Sequence, residues 1–249
     1  MLSVICPIYN EAKYIDVCVQ SILLQDYPKQ QLEVLFVDGM SKDGTRDIVN
    51  NYSKQYPFIR LLNNEKRIVP VAMNIGIKAS IGDIVMRLDA HAQYPPNYFS
   101  VLVKELVRLR ADNVGVACKT DVLNKTSKTL AIREVLSNRF GVGNSTFRLG
   151  VDKVIEVDTV PFGCWKKDVF NKYGFYDERL IRNQDIELNK RIVRGGGHIF
   201  IVPDTYCTYL ARETFDGLAK NNFGNGKWNI LTVYYTKQFK SLSVRHFIP

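Results

Sequence analysis

Three short polar segments of the sequence each come directly after an apolar run. Residues 7–11 (PIYNE) follow the first run, residues 38–45 (DGMSKDGT) follow the second, and residues 89–91 (DAH) follow a later one. Asp, Asn and Gly favour turns in any protein, so each segment alone is compatible with ordinary loop chemistry. In open parallel sheets, however, ligands bind at the carboxyl ends of the strands. The three segments together therefore predict a ligand site at one sheet edge.

The side chains in these segments suit a nucleotide that carries phosphates. Asp38 can accept a hydrogen bond from a base N–H, which would select uracil. Asp89 offers carboxylate oxygens and His91 a neutral imidazole nitrogen, and both are ligands for a divalent cation such as Mn²⁺ or Mg²⁺. Such a cation neutralises a diphosphate leaving group while a sugar bond breaks. The alternative for His91 is an ordinary surface residue at a strand end.

Basic side chains are needed as well, because the sequence has no glycine-rich loop to cradle phosphates. Lys66 and Arg67 are the candidates. The alternative, a solvated pair of surface charges, stays open, because exposed Lys and Arg are common.

The elements that position these segments alternate between strand and helix. Apolar runs at residues 2–6, 33–37, 59–62 and 84–88 predict strands, and helical spacing separates them at residues 15–23, 45–52 and 69–79. This alternation predicts an α/β fold with a mostly parallel central sheet and helices on both faces. Further along, we expect a helix from Pro96 to about Leu109, a strand over 114–119, loop with one helix near 130–138, a helix over 185–194 and a strand over 198–202.

Composition narrows the class of protein. A chain of 249 residues with ordinary globular composition is long enough for one large domain. The net charge of +9 suits an anionic partner, such as a nucleotide diphosphate, a nucleic acid or an anionic membrane surface. The five cysteines are scattered and form no CxxC pair, which favours a reducing, cytoplasmic setting. We find neither a signal peptide nor an apolar stretch long enough to span a bilayer.

The order of these motifs resembles the family 2 glycosyltransferases of the GT-A fold. The resemblance is carried by segments at 7–11 (P-x-Y-N-E), 37–45 (V-D-x-x-S-x-D-G-T), 74–76 (N-x-G), 89–91 (D-A-H), 163–178 (G…F…G-F-x-D-E) and 183–188 (N-Q-D-x-E-L). It covers nearly the whole chain. The segments 182–185 and 222–228 are similar to the subgroup that includes the succinoglycan-type exopolysaccharide glucosyltransferases.

The resemblance implies an inverting, metal-dependent hexosyltransferase with a Rossmann-like nucleotide-binding half and an acceptor-binding half. It implies a UDP-sugar donor and a saccharide or polyprenyl-diphosphate-linked acceptor, with no role in nucleic-acid binding. The implied donor-binding residues are Pro7, Tyr9, Glu11, Asp38, Lys66, Arg67, Asn74, Gly76 and Asp89, with Asp89 and His91 on the metal. The implied acceptor-side residues are Gly163, Trp165, Asn183 and Gln184, followed by a late motif at Lys227 and Trp228.

Asp185 stands where the family places its general base. A carboxylate opposite the departing diphosphate can take the proton of the attacking sugar hydroxyl, which gives inversion in one displacement. The alternative is that Asp185 caps the helix that follows it.

Two positions depart from the family pattern. Gln184 replaces the usual Glu before the base, so a contact to the acceptor becomes a neutral amide. His91 replaces an Asp, which lowers the negative charge of the metal site and favours Mn²⁺ over Mg²⁺.

The end of the chain mixes basic and aromatic residues, including Lys237, Lys240 and Arg245 beside Tyr234, Phe239 and Phe247. This mixture suits an anionic membrane surface, and it also suits a plain amphipathic helix packed on the domain. Either tryptophan of the sequence could stack on a sugar ring. For Trp165, packing in the core is the more common alternative, and for Trp228 we favour contact with the active site or with a membrane.

We divide one continuous domain into a donor half (1–119), an acceptor and catalytic half (120–226) and a basic, aromatic segment (227–249). The expected location is the cytoplasm, at the inner face of the cell membrane. Two other classes remain open at this point. A sugar nucleotidyltransferase uses a similar sheet and metal but normally has a glycine-rich loop near the first strand. A non-catalytic nucleotide-sugar-binding protein would have no need of both Asp89 and Asp185.

Overall fold

The computed structural model describes residues 1–138, 146–211 and 213–242. The described residues form one nine-stranded mixed sheet, in the order β3-β2-β1-β4-β8-β6-β9-β5, with β7 paired to β9. The strands are β1 (Leu2–Ile8), β2 (Leu32–Asp38), β3 (Ile59–Asn63), β4 (Ile84–Arg87), β5 (Ala92–Gln93), β6 (Asn113–Asp121), β7 (Ile155–Glu156), β8 (Cys164–Lys166) and β9 (Ile199–Leu210).

The helices lie mainly between these strands. They are α1 (Ile15–Leu23), α2 (Thr45–Gln55), α3 (Val69–Ala79), α4 (Tyr98–Arg108), α5 (Ser127–Ser137), α6 (Thr146–Leu149), α7 (Asp168–Tyr173), α8 (Gln184–Arg194) and α9 (Phe215–Thr236), with short 3-10 helices at Lys29–Gln31 and Phe239–Ser241.

The first half is a parallel four-stranded unit. β1 pairs in parallel with β2 and with β4, and β2 pairs in parallel with β3. β2 is buried at every position, as expected for a strand that is covered on both faces. Because these strands run the same way, their carboxyl ends meet at one edge of the sheet.

The second half extends the sheet with mixed polarity. The short β8 is antiparallel to both β4 and β6, so it joins the two halves of the sheet. β6 and β9 then run in parallel, with a register shift between Val116 and Ala117. The sheet is therefore mixed but mostly parallel.

Both faces of the sheet are covered. One apolar cluster joins the sheet to α1, α2 and α4, and the other joins it to α3, α7 and α8. This confirms the predicted fold: a mostly parallel sheet between two helical layers.

Several element bounds differ from the sequence-based expectation. The last strand runs on to Leu210 instead of ending at residue 202, because it continues past the register shift along β6. The described part of residues 120–153 contains two helices, α5 and α6, where one was expected. α5 begins at residue 127 since Thr126 and Thr129 form a capping box. The helix expected from Pro96 begins at Tyr98.

The segment expected to begin at residue 227 is the second half of α9, which runs without a break across that position. Thr232 is the one α9 residue that the structure describes as fully buried. Among the described residues, no helix has the length and apolar character needed to cross a bilayer. The predictions for Arg245 and Phe247 fall outside the described residues.

Candidate active site

A cleft of about 170 Å³ lies at the carboxyl ends of β1, β2 and β4. Its lining includes six of the residues predicted for donor or metal binding: Pro7, Tyr9, Glu11, Arg67, Asp89 and His91. The lining is completed by Ile8, Gly39, Asn64, Ile68, Val69 and Ala72. We call the part of the cleft where Glu11, Asp89 and His91 lie together its charged end. Apolar side chains line it elsewhere beside Arg67, and such a mixture suits a ligand with a planar base and a charged tail.

Hydrogen bonds between the β1 and β2 loops hold this edge together. The Asn10 N–H donates to Ser41 Oγ at 2.8 Å, and the Glu11 N–H donates to Thr45 Oγ1 at 2.8 Å. The Ala12 N–H donates to Asp43 Oδ2 at 3.0 Å. The polar residues of the 41–45 segment therefore fix the position of the β1 loop and do not face the cleft themselves.

Asp38 lies beneath the cleft and does not line it. Its carboxylate is fully buried and accepts hydrogen bonds from the Ser41 N–H and hydroxyl and from Arg46 Nη1, the last at 2.6 Å. In this structure Asp38 therefore holds the loop that carries Gly39, which does line the cleft. The Asp38 side chain does not face the cleft, so it does not present its carboxylate to a base there as the sequence led us to expect.

Asn64 follows β3 and lines the cleft together with Gly39 and Ile68. Its amide donates to the Ile68 carbonyl at 3.0 Å, which fixes the orientation of the amide group. The other atom, Oδ1, is buried and has no hydrogen-bond partner among the described residues. A buried acceptor without a partner is costly, so this atom, which exposes almost no surface to the cleft, would gain from a ligand N–H if the lining moves to admit it.

Asp89 and His91 lie together at the charged end. The distance from His91 Nδ1 to Asp89 Oδ1 is 3.4 Å, and Nδ1 is 3.5 Å from Glu11 Oε1. The His91 ring also packs edge-on against Tyr209 of β9. The Tyr94 hydroxyl bonds to both backbone groups of Asp89, which fixes the turn.

These residues fit a cation that the ligand helps to hold. Two ligands at right angles around Mg²⁺ are roughly 3 Å apart, close to the observed separation of Asp89 Oδ1 and His91 Nδ1. Across the described part of the chain, no group of three or more His, Cys, Asp or Glu side chains is arranged to hold a metal ion. Diphosphate oxygens and water would therefore have to complete the coordination.

Arg87 is a buried cation between the cleft and the second half. Its Nη2 lies 3.8 Å from Asp89 Oδ2, while Nε and Nη1 have no hydrogen-bond partner among the described residues. Burial alone would lower the pKa of Arg87, but Asp89, Tyr176 and Asp185 together raise it above its ordinary value. The guanidinium therefore stays charged and links Asp89 electrostatically to Asp185.

Asp185 occupies the first turn of α8. Asn183 takes the N-cap position of this helix, but its side chain does not cap it. Asp185 is half-buried, and its Oδ1 accepts a hydrogen bond from the Ile186 N–H at 2.9 Å. Asp185 therefore satisfies one N–H of the first turn, as the capping alternative expects, and this contact leaves its second carboxylate oxygen for another partner. The helix N-terminus favours a negative charge at this position.

Besides Asp38, three further predicted donor-binding residues lie outside the cleft lining. Lys66 is exposed and pairs with Glu178 at 2.9 Å. Asn74 is buried and forms paired hydrogen bonds with the backbone N–H and carbonyl of Tyr176, each 3.0 Å long. Gly76 packs against Ile5, where an added Cβ would lie 2.5 Å from the isoleucine side chain. The structure thus gives Asn74 and Gly76 packing roles.

Three of the predicted acceptor-side residues, Gly163, Trp165 and Gln184, are also engaged in packing or buried. Trp165 is 2% exposed and packs against Phe170 and Tyr176, so it cannot stack on a sugar. Gly163 has φ +47, and an added Cβ would meet the Trp165 ring. Gln184 is buried beside Asp185, with Oε1 lacking a partner among the described residues.

The late motif lies on α9, outside the donor cleft. Lys227 is exposed, and Trp228 is half-buried and stacks on Tyr235. Asn183 also bonds to this helix rather than to the cleft.

Sequence reasoning missed three residues of this region. Asn64 directly follows β3, so the rule about strand ends that selected Asp38 and Asp89 would also have selected it. Arg87 is a charge within the apolar run before Asp89, which is an unusual position for an arginine. Arg46 gave no signal, because its partner Asp38 is brought close only by the turn between β2 and α2.

The sheet and its helical layers define an α/β fold of the GT-A type. Similar folds occur in Staphylococcus aureus TarS 1–349 in complex with UDP-GlcNAc (17% identity, TM-score 0.66, covering 93% of this chain and 66% of that one). The Pyrobaculum calidifontis mannosyltransferase PcManGT in complex with GDP-Man and Mn²⁺ is also similar (20% identity, TM-score 0.68, covering 94% and 64%).

The chain belongs to glycosyl transferase family 2, whose model matches residues 3–174. Two characterised relatives are similar over 90% of the chain. One is the Methanococcus voltae dolichyl N-acetyl-alpha-D-glucosaminyl phosphate 3-beta-D-2,3-diacetamido-2,3-dideoxy-beta-D-glucuronosyltransferase, 28% identical and covered over 71% of its length. The other is the succinoglycan biosynthesis protein ExoA of Rhizobium meliloti, 29% identical and covered over 67%. These findings confirm the predicted glycosyltransferase class over a nucleotidyltransferase or a non-catalytic binding protein.

Proposed function

We propose that this chain is an inverting, metal-dependent glycosyltransferase that moves a sugar from a UDP-sugar to a hydroxyl of a saccharide or lipid-linked saccharide. The observation that carries the proposal is the placement of Asp89 and His91 at the charged end of the cleft, linked through Arg87 to Asp185. Metal ligands and a general base on opposite sides of one reacting carbon are what a single displacement needs.

The nucleoside occupies the apolar part of the cleft. Pro7, Val69 and Ala72 provide walls for the planar base, and the Tyr9 ring lies against Gly39 at the entrance. Asn64 Oδ1 accepts the base N–H, and Asp38 supports the loop beneath it. An acceptor of this kind suits uracil, in which N3–H is a donor.

The diphosphate occupies the charged end. Arg67, which lines the cleft, contacts phosphate oxygens as a cation. A divalent cation held by Asp89 and His91 would neutralise the leaving diphosphate. Lys66 is engaged with Glu178 and is not needed for this contact.

Asp185 acts on the acceptor hydroxyl. Its carboxylate takes the hydroxyl proton while the acceptor oxygen bonds to C1 of the donor sugar. The bond from C1 to the diphosphate oxygen breaks at the same time, and its electron pair leaves with UDP. Because attack comes from the face opposite the leaving group, the configuration at C1 inverts.

The acceptor is attached to a lipid at the cytoplasmic face of the cell membrane. The name of the Methanococcus relative supports a lipid-linked acceptor, since it includes a dolichyl-phosphate-linked sugar, and the name of the Rhizobium relative, a succinoglycan biosynthesis protein, supports a saccharide acceptor. All five cysteines are free and buried, which agrees with a reducing compartment.

Asp185→Asn tests the proposal. The change keeps the size of the side chain and removes the base, so turnover at saturating UDP-sugar and Mn²⁺ should fall roughly 10²- to 10⁴-fold while UDP affinity stays at the parent's value. Asp177→Asn is the matched control, because the Asp177 carboxylate is already paired with Arg179 at 2.7 Å. Parental turnover in Asp185→Asn would refute the base assignment, and loss of UDP binding would make Asp185 a donor-binding residue.

A further inference from the structure

The two residues before α8 are bonded to α9 over three of its turns. Arg182 Nη1 donates to Asn221 Oδ1 at 3.0 Å and to Asn225 Oδ1 at 2.7 Å. Asn183 Nδ2 donates to Asn229 Oδ1 at 3.0 Å and to Thr232 Oγ1 at 3.3 Å. These acceptors lie along one face of α9, because they recur at helical spacing.

The backbone of Asn183 shows that this arrangement has a local cost. Asn183 has φ +60, a left-handed conformation that side-chain-bearing residues adopt infrequently. It occupies the N-cap of α8, yet its side chain does not cap the helix. An N-cap asparagine normally bonds to the N–H groups of the first turn. Here the amide is used to bond to α9 instead.

Glycine at position 224 makes the close approach of Arg182 possible. A Cβ at Gly224 would lie 3.1 Å from Arg182 Cζ and 3.2 Å from Nε. A Cβ at Gly226, two residues further along, would meet nothing within 4 Å. The Arg182 guanidinium therefore lies directly over Gly224, and a side chain at position 224 would displace it, whereas one at position 226 would not.

The chain beyond α9 contacts α8 a second time. Ser241 and Leu242 are buried, and Ser241 lines a cavity together with Arg191 and Arg194 of α8. The base-bearing helix is thus held by the α9 region both before its first turn and along its last turns.

We propose that α9 is a positioning element of the catalytic site, with Arg182 and Asn183 as the residues that transmit its position to Asp185. The inference rests on the proposed role of Asp185 as the base. Asp185 is two residues from Asn183 on the same turn, so a shift of the Arg182–Asn183 loop moves its carboxylate directly. The donor cleft lies on β1, β2, β4 and α3, which this loop does not support.

This arrangement predicts a specific kinetic signature. Displacement of the loop should lower turnover and leave donor binding unchanged, because the base moves relative to a donor that stays in place. A misplacement of about 1 Å can cost on the order of 10²-fold in rate. A general structural defect would lower stability and donor affinity together.

Gly224→Leu and Gly226→Leu form the matched test. Both replace a glycine in the same helix with the same good helix former, so their effects on helix propensity cancel. Gly224→Leu pushes Arg182 away from Asn221 and Asn225, and turnover at saturating substrates should fall roughly 10- to 100-fold. UDP affinity and the KM for the donor of this variant should match those of Gly226→Leu, which should keep parental turnover. The melting temperature of Gly224→Leu should be somewhat lower, because the Arg182 hydrogen bonds are lost, while the variant stays folded at the assay temperature.

Asn183→Gly provides a second variant that keeps the left-handed backbone and removes only the side-chain bonds to α9. Its turnover should fall while UDP affinity holds. In an Asp185→Asn background, Gly224→Leu should cause no further loss of turnover, because the effects of substitutions at residues that act as a unit are not additive.

The outcomes separate the two proposals. Parental turnover in both Gly224→Leu and Asn183→Gly, or a full additional loss in the Asp185→Asn background, would overturn the positioning role and leave the base assignment intact. Equal losses of UDP affinity and turnover would also overturn it. Parental turnover in Asp185→Asn would remove the base assignment and, with it, the role of α9.

Discussion

His91 lies between two carboxylates at the charged end of the cleft, a setting that suits a metal ligand and that also suits an ion pair of the imidazole with these carboxylates. The imidazole nitrogen nearest to Asp89 is also within 3.5 Å of Glu11. An imidazole in place of a carboxylate lowers the negative charge available to the cation. Nitrogen ligands suit Mn²⁺ better than Mg²⁺, which strongly prefers oxygen.

His91→Ala should weaken UDP binding about tenfold in the presence of Mn²⁺, since one ligand of the cation is lost. In EDTA, parent and variant should bind UDP equally. Calorimetric titration under both conditions measures the difference. His198→Ala is the control, because His198 is exposed and pairs with Glu156 away from the cleft. Equal Mn²⁺ dependence in parent and His91→Ala would exclude His91 from the metal site.

Asn64→Leu tests recognition of the base. The substitution keeps the approximate size and removes the buried acceptor, so a ligand N–H loses its partner on binding. UDP affinity should fall by about 1–3 kcal/mol, the usual cost of an unsatisfied buried group. The comparison that matters is with ribose 5-phosphate, which lacks the base and should bind parent and variant alike. Unchanged UDP affinity would show that a group other than Asn64 recognises the base.

The sequence predicted which side chains meet where a strand end alone decides their position, while their roles stay predictions. Six predicted residues line one cleft, because parallel strands bring their carboxyl ends together. The orientation of Asp38 was not predictable in this way. Its carboxylate turns inward because Ser41 and Arg46 both donate to it, and the position of Arg46 depends on the tight turn at Gly44, which has φ +95.

At the scale of elements, Asn74 shows how a helix in the donor half is tied to the second half. The residue lies on α3, and its side-chain amide donates to the Tyr176 carbonyl and accepts from the Tyr176 N–H. It also donates to Glu178 at 3.2 Å. This contact joins the nucleotide-binding half to the segment that leads to α8.

Asn74→Ala should therefore destabilise the fold without changing the affinity for the donor nucleotide. Loss of the paired buried hydrogen bonds should lower the free energy of unfolding by about 2–3 kcal/mol. Urea unfolding gives this value, and UDP titration of the folded variant should give the parent's affinity. Lys66→Ala serves as the control, because its exposed ion pair to the same Glu178 contributes little. A selective loss of UDP affinity would instead support the donor-binding role first assigned to Asn74.

The elements differ in how strongly the sequence specifies them. β1 to β4 are apolar runs, and each was predicted close to its observed position. The strands β5, β7 and β8 have two or three residues each, too few for any periodicity to be recognised. Their existence depends on pairing with β4, β6 and β9, which are distant in sequence.

At the scale of the whole molecule, α9 has two faces with different roles. One face bonds to the Arg182–Asn183 loop. The other exposes Phe223, Ile230 and Tyr234, which are 78%, 69% and 61% exposed. These positions recur at spacings of seven and four, so they form a single apolar stripe. Lys227 lies within the stripe and Lys237 packs over the Tyr234 ring, so basic groups accompany it.

Such a stripe on a basic protein predicts binding to anionic lipid. Aromatic and aliphatic side chains enter the headgroup region while lysines pair with the lipid charge, each worth about 1 kcal/mol near the surface. Because the Arg182–Asn183 loop lies on the opposite face, a membrane-bound α9 would keep the loop that leads to Asp185 on the side away from the lipid.

The protein should co-sediment with vesicles of phosphatidylglycerol and phosphatidylcholine at low salt, and binding should weaken as salt rises, since exposed charges are screened. Phe223→Ser combined with Ile230→Ser should reduce the partition coefficient at least roughly tenfold, because two apolar side chains no longer enter the lipid. Leu24→Ser with Ile81→Ser is the matched control, as both residues are similarly exposed at 68% and 67% but lie in the donor half. Equal losses in the two double variants would show that binding is not directed by α9, and salt-independent binding would exclude the lysines from it. If only the α9 variant is affected, the helix that positions the base also faces the membrane, so lipid binding and base placement share one element.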